Sequence, residues 1–109
     1  MDNMLLIMIP GLDTASDLRE AVRVAARNHR IALGMTQADL AARSGVPLGT
    51  LKRFERVGEV SLSSLLAVAE ALDALEAFRG LFPLPEARTL DEIEAQASLP
   101  KRARPKVRR

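Results

Sequence analysis

The chain of 109 residues has no cysteine, no tryptophan and no tyrosine, and a single histidine. Without thiols it forms neither a disulfide nor a thiolate-held metal site, and the absence fits the cytosol. No glycine-rich loop ending in Lys-Ser/Thr is present, and no Gly-x-Ser-x-Gly elbow, so two common catalytic signatures are missing. His29 falls on the apolar side of a predicted helix, where a packed or edge residue is the ordinary reading. Asp91, Glu92 and Glu94 read as one solvated helix face. No catalytic residue, cofactor or metal is assigned, and the chain is read as not an enzyme. The apolar run Met4–Ile9 is too short to span a bilayer and lacks the flanks of a secretory signal. The expectation is a soluble, cytoplasmic protein without a membrane partner.

What is present is helix-forming. Hydrophobic residues make up 48% of the chain and charged residues 28%, with aromatics at only 3%. Alanine and leucine dominate, which points to one all-α domain. Thr14-Ala-Ser-Asp17 has the pattern of a capping box. After it Leu18, Val22, Ala25, Ala26, His29 and Leu33 recur as one helix face, closed by Gly34. Thr36-Gln-Ala-Asp39 is a second box, opening a short helix with Leu40 and Ala41 inward and Gly45 as its stop. Pro47 starts a third helix, where its missing N–H costs nothing, with Leu51 and Phe54 on the apolar side. Ser61 caps a fourth, with Leu62, Leu65, Leu66, Ala69 and Leu72 as the buried stripe and Asp73 as the break. A fifth helix is predicted from Ala74 to about Phe82, where Pro83 and Pro85 stop it. Thr89-Leu-Asp-Glu92 caps one more short helix through Ala97.

Charge is distributed unevenly. Residues 1–18 carry −3, residues 19–56 carry +5, residues 57–100 carry −6 and residues 101–109 carry +6, against a net charge of +2 for the whole chain. Positive charge therefore gathers in residues 19–56, which hold the first three predicted helices, and in the tail, the footprint of a polyanion-binding face.

The segment Thr36-Gln-Ala-Asp-Leu-Ala-Ala-Arg-Ser-Gly-Val-Pro-Leu-Gly-Thr-Leu-Lys-Arg-Phe-Glu-Arg56 resembles the helix-turn-helix of phage lambda Cro and repressor proteins and of the xenobiotic-response-element class of bacterial regulators. The resemblance extends over roughly Leu18 to Phe82. Local physics agrees with it: small Ala41 permits close helix approach, Gly45 supplies a positive φ, and Val46 fills the corner. The resemblance implies a five-helix lambda-repressor-like DNA-binding domain over residues 14–82. Around it lie a leader at 1–13, an extension with a short helix at 83–100, and a disordered basic tail at 101–109.

In this motif the second helix enters the major groove and its first residues meet base edges. Carried over by position, the base-facing residues are Leu48, Gly49 and Arg53. Arginine donates a bidentate pair to guanine, leucine offers apolar contact, and Gly49 has no side chain where a polar reader often stands. Gln37 is implied as a phosphate contact, and Arg43, Thr50, Lys52 and Arg56 are phosphate candidates that position without specifying. The resemblance also implies a structural ion pair between Arg30 and Glu55.

The implied function is a sequence-specific repressor of transcription on a double-stranded DNA operator. The layout, with the stretch Phe82-Pro-Leu-Pro-Glu-Ala-Arg-Thr-Leu-Asp-Glu, is similar to HipB-type antitoxins that neutralise a HipA-like kinase toxin and repress their own operon. A stand-alone phage-type or restriction-system controller with no toxin partner is the alternative, and an interaction module with an acidic protein client is a third class. A homodimer is expected, with Leu75, Phe78, Leu81 and Phe82 at its interface. The run Leu5–Ile9 is either an exchanged strand or a plain leader.

Deleting Lys101–Arg109 is expected to lower the slope of log K against log salt for DNA binding by roughly 2–4 units per chain, because each neutralised phosphate contributes about −0.9. Titration across a salt series checks this. An unchanged slope with unchanged affinity would show that the tail does not touch DNA, leaving an acidic protein surface or a solubility tail without a ligand as its role.

Overall fold

Three hydroxyls start the first, second and fourth helices. Thr14 accepts from the backbone N–H of Asp17, Thr36 from Asp39 and Ser61 from Ser64, all at 3.0–3.1 Å. In the computed structural model, which describes residues 14–102, they begin α1 (Ala15–Ala32), α2 (Gln37–Ser44) and α4 (Leu62–Ala71), while α3 (Leu48–Val57) follows Pro47. A 3₁₀ turn (Leu75–Gly80) and α5 (Leu90–Ala97) complete the order, and no strand occurs among the described residues. The fold is all-α. The leader, with its suggested strand, and tail residues 103–109 lie outside the described residues.

The Thr36 cap is reciprocal: the Asp39 carboxylate accepts the Thr36 backbone N–H at 2.9 Å. That backbone hydrogen bond, helped by the Thr36 hydroxyl, holds the Asp39 carboxyl below the usual aspartate range. At the other ends, Gly34 and Gly45 take left-handed backbone (φ 71° and 74°), which lets the chain reverse after α1 and α2 within a residue or two.

Met35, Leu40, Val46, Leu51, Phe54, Val68 and Leu72 form the core. It lies where α2 packs on α3 and α4, and α1 packs on α3. Phe54, Leu40, Leu51 and Val68 are the largest fully buried side chains. Truncating residues of this kind to alanine costs about 2–5 kcal/mol each, so α3 is anchored on its inner side by the strongest term available.

Three expectations need correction. The α1 stripe is largely at the surface: Leu18 and Leu33 are exposed, and Val22, Ala25, Ala26 and His29 line an open groove of about 210 Å³ with Leu65, Val68, Leu72 and Phe78, only Ala26 of the stripe packing against the core. α1 turns Arg23 and Arg30, two turns apart, toward α3 instead. Leu33 sits at the C-cap, where the chain is already leaving the helix. Leu62, expected inside α4, is 65% exposed, because it is the first residue after the cap and precedes the packed turns. The fifth helix is a 3₁₀ turn rather than an α-helix. Asp73 and Phe82 both have positive φ, at 55° and 56°, and the 3₁₀ turn lies between these two breaks in helical backbone.

Residues 80–102 form a separate unit. Within it Thr89 caps α5 through the Glu92 N–H, and the Glu92 carboxylate accepts from the Arg88 N–H. The unit buries no residue of α5. No helix among the described residues is long and apolar enough to cross a membrane.

One polar network threads the otherwise apolar packing. Arg30 Nε and Nη2 donate to the two oxygens of Glu55 at 2.8 and 2.9 Å, and Nη1 donates to the Met35 carbonyl at 2.8 Å. Gln37 Nε2 donates to Glu55 Oε1 at 3.1 Å, and Arg23 Nη1 to the Glu55 carbonyl at 2.8 Å. Arg30 is only 8% exposed and Glu55 5%. Such a pair is costly to desolvate and far costlier to break from one side. Arg30→Ala is therefore expected to destabilise the chain by about 3–5 kcal/mol, since it leaves the Glu55 carboxylate buried without its fork. Replacing both partners by apolar residues of similar volume should cost much less. Denaturant melts of the single and double variants check this, and an unchanged midpoint in Arg30→Ala would contradict it.

Candidate nucleic-acid interface

At 100° per residue, Leu51, Phe54 and Glu55 fall on one arc of α3 and Gly49, Lys52, Arg53 and Arg56 on the other. The solvent division follows that geometry: the first three are buried and the last four exposed. Leu48 stands at the entry of the helix, 37% exposed, and Thr50 is half-buried at the edge of the core arc. One side of α3 is thus committed to the core while three cations stand on the opposite side.

The start of α3 is open. Pro47 supplies no side-chain cap, and the first-turn N–H groups carry the partial positive charge of the helix dipole. Gly49 is not demanded by the fold, because a Cβ there would meet no atom within 4 Å. Its missing side chain leaves this turn of the helix smooth, with backbone accessible beside Arg53.

α2 precedes this helix through Gly45, Val46 and Pro47. Val46 is buried at the corner, and Ser44 Oγ accepts the Val46 N–H at 3.1 Å, so a side-chain bond ties the turn. Arg43 is exposed in the last turn of α2. Gln37, at the first position of α2, is half-buried and spends an amide hydrogen on Glu55. It therefore belongs to the buried network as well as to the surface at the start of α2.

Arg53 is not isolated. Its Nε donates to Glu59 Oε2 at 3.1 Å and its Nη2 donates to the same oxygen. Neither Glu59 nor Arg23 was among the residues picked out by sequence. Glu59 lies beyond the end of α3, and Arg23 acts through a backbone carbonyl, which no side-chain pattern reveals.

The interface candidates Leu75, Phe78, Leu81 and Phe82 fall on both sides of the boundary between the two units. Leu75 is 37% exposed, Phe78 half-buried, Leu81 55% and Phe82 96% exposed. Among the described residues no group of three His, Asp or Glu is placed to hold a metal ion.

This arrangement is one a duplex fits: a short cationic helix, bare at its N-terminus, held outward by a second helix across a tight turn. Residues 27–76 match the family model described as Helix-turn-helix. No curated protein and no solved structure matches the chain. Helix order, turn and outward cationic arc agree with that match over residues 27–76, and together they support a DNA-binding transcriptional regulator.

Proposed function

We propose that the chain is a sequence-specific repressor that reads a double-stranded operator with α3, two copies binding two half-sites. The observation that carries this reading is the division of α3 into a buried arc and an exposed arc of Gly49, Lys52, Arg53 and Arg56. Arg53 and Leu48 meet base edges, with Gly49 allowing close approach. Gln37, Arg43, Thr50, Lys52 and Arg56 take phosphates. A single reading helix covers few base pairs, and a twofold pair matches half-sites about 34 Å apart. Leu75, Phe78, Leu81 and Phe82 supply the apolar contact between copies.

A second feature favours a client protein. Beyond the residues given to the contact between copies, residues 83–102 expose Leu84, Leu90, Ile93 and Leu99. Single exposed apolar residues are ordinary, but four within one short stretch are what a partner surface needs. This supports the antitoxin reading, in which that stretch holds a HipA-like kinase toxin. Removing residues 80–109 should abolish co-purification with a kinase-like protein encoded beside this chain. Retention of the complex by the truncated chain would move the client to another surface.

The DNA-reading role is tested with Arg53→Ala on the operator selected from random duplexes by the full chain. Operator binding should weaken by about 1–3 kcal/mol with loss of preference at one base step. Gln37→Ala should weaken all sequences evenly. Equal loss on operator and unrelated duplex in Arg53→Ala would remove Arg53 from base reading, and a complex of one chain per operator in sedimentation would remove the twofold arrangement.

A further inference from the structure

Glu59 stands six residues after Arg53. Along a continued helix that separation turns through 600°, which would put the two side chains on different faces. Gly58 prevents that. Its φ of 77° ends α3 in a left-handed turn, and its N–H donates to the Phe54 carbonyl at 2.8 Å. The turn is fixed from the other side as well: a Cβ at Gly58 would lie 2.8 Å from Cγ of Arg19 on α1. The chain therefore bends back at one determined place, and the next residue, Glu59, meets Arg53 on the outward arc.

The mode of contact matters more than its existence. A guanidinium offers five N–H groups in a planar fork. Glu59 takes one oxygen to the Nε and Nη2 edge. One hydrogen of Nη1 and the second hydrogen of Nη2 lie along the fork's far end, away from that oxygen. That end carries two parallel donors, the set that guanine O6 and N7 accept. Both side chains are more than half exposed, at 58% and 53%, so the contact contributes little to stability and its consequence lies in where it aims the fork.

We propose that Glu59 is a positioning residue for sequence recognition: its carboxylate holds the Nε–Nη2 edge of Arg53 and presents the Nη1–Nη2 end to a guanine in the major groove. The inference rests on the base-reading role of Arg53. Two effects follow. Arg53 reaches the base with fewer rotamers left to lose, so the correct base binds more tightly. A carboxylate on the reading face also repels phosphates and so disfavours sequences on which Arg53 would settle against the backbone instead. Glu59 thereby converts a non-specific cation into a selective one.

The test uses the full chain, its selected operator, duplexes carrying each base at the position read by Arg53, and one unrelated duplex. Four proteins are compared: unchanged, Glu59→Ala, Glu59→Gln and Arg53→Ala. In Glu59→Ala, discrimination for guanine at that position should fall about 2- to 10-fold, the range set by ordering one long side chain. Affinity for the unrelated duplex should rise roughly 2- to 5-fold as a like charge leaves the phosphates. Glu59→Gln keeps an acceptor oxygen without the charge, so it should retain most of the discrimination while showing the same rise on the unrelated duplex. Unchanged discrimination in Glu59→Ala, with Arg53→Ala still losing it, overturns the positioning role and leaves base reading by Arg53 intact. An equal gain on every duplex in Glu59→Ala also overturns it, making Glu59 a mask over Arg53. If Arg53→Ala loses no base preference, base reading by Arg53 fails, and the role of Glu59 with it.

Discussion

The buried pair of Arg30 and Glu55 is the constraint on which the rest of the arrangement depends. Two charges withdrawn from water are tolerated only if nearly every donor and acceptor is met, and here they are met by four separate stretches of chain. Arg30 comes from α1, Glu55 from α3, the Met35 carbonyl from the loop before α2, and Gln37 from the first turn of α2. Apolar contacts tolerate small slips between helices, whereas a two-bond fork does not. The pair therefore sets rotation and height of α3 relative to α1 and α2, at a cost in desolvation that an apolar pair would avoid.

That rotation gives the outward arc its meaning. With Glu55 fixed inward, Gly49, Arg53 and Arg56 must face solvent, and a helix held in one orientation loses little freedom when it meets a partner. Gln37 links the two sides of this design, since its amide reaches the buried carboxylate from the first turn of a helix whose start lies at the surface. Gly58 then carries the chain from α3 toward α4 and brings the carboxylate of Glu59 beside Arg53 on the arc. Glu59 thus brings one charge of the acidic stretch 57–100 onto a cation of α3.

The elements that were legible in sequence are those whose cause lies within four residues. Thr36 and Asp39, Ser61, Thr89 with Glu92, Gly34 and Gly45 each act on backbone groups of their own turn, and each stands where its chemistry suggested. Leu18, Leu33 and Leu62 went the other way. Their spacing marks a helix, but the side of a helix that is buried is decided by what lands on it. On α1 the claim of Arg30 and Arg23 on Glu55 displaced the expected aliphatic stripe. The segment after Asp73 has apolar residues at helical spacing, yet it forms a 3₁₀ turn between two left-handed residues. Left-handed backbone at Asp73 and Phe82 is not announced by residue type as it is at a glycine.

Sequence alone determined the helical class, most helix starts and stops, and the positive charge of the central segment. All of these follow from side chain-to-backbone bonds, propensities and spacings that operate along a few turns of chain. Only the tertiary structure decided which way α1 faces, that Gln37 shares the buried carboxylate, that the groove beside α1 stays open, and that Glu59 meets Arg53. Those are contacts across 3 Å of space between residues separated by a chain reversal or by whole helices. Their geometry is fixed by the joint packing of several elements, and no local pattern contains it.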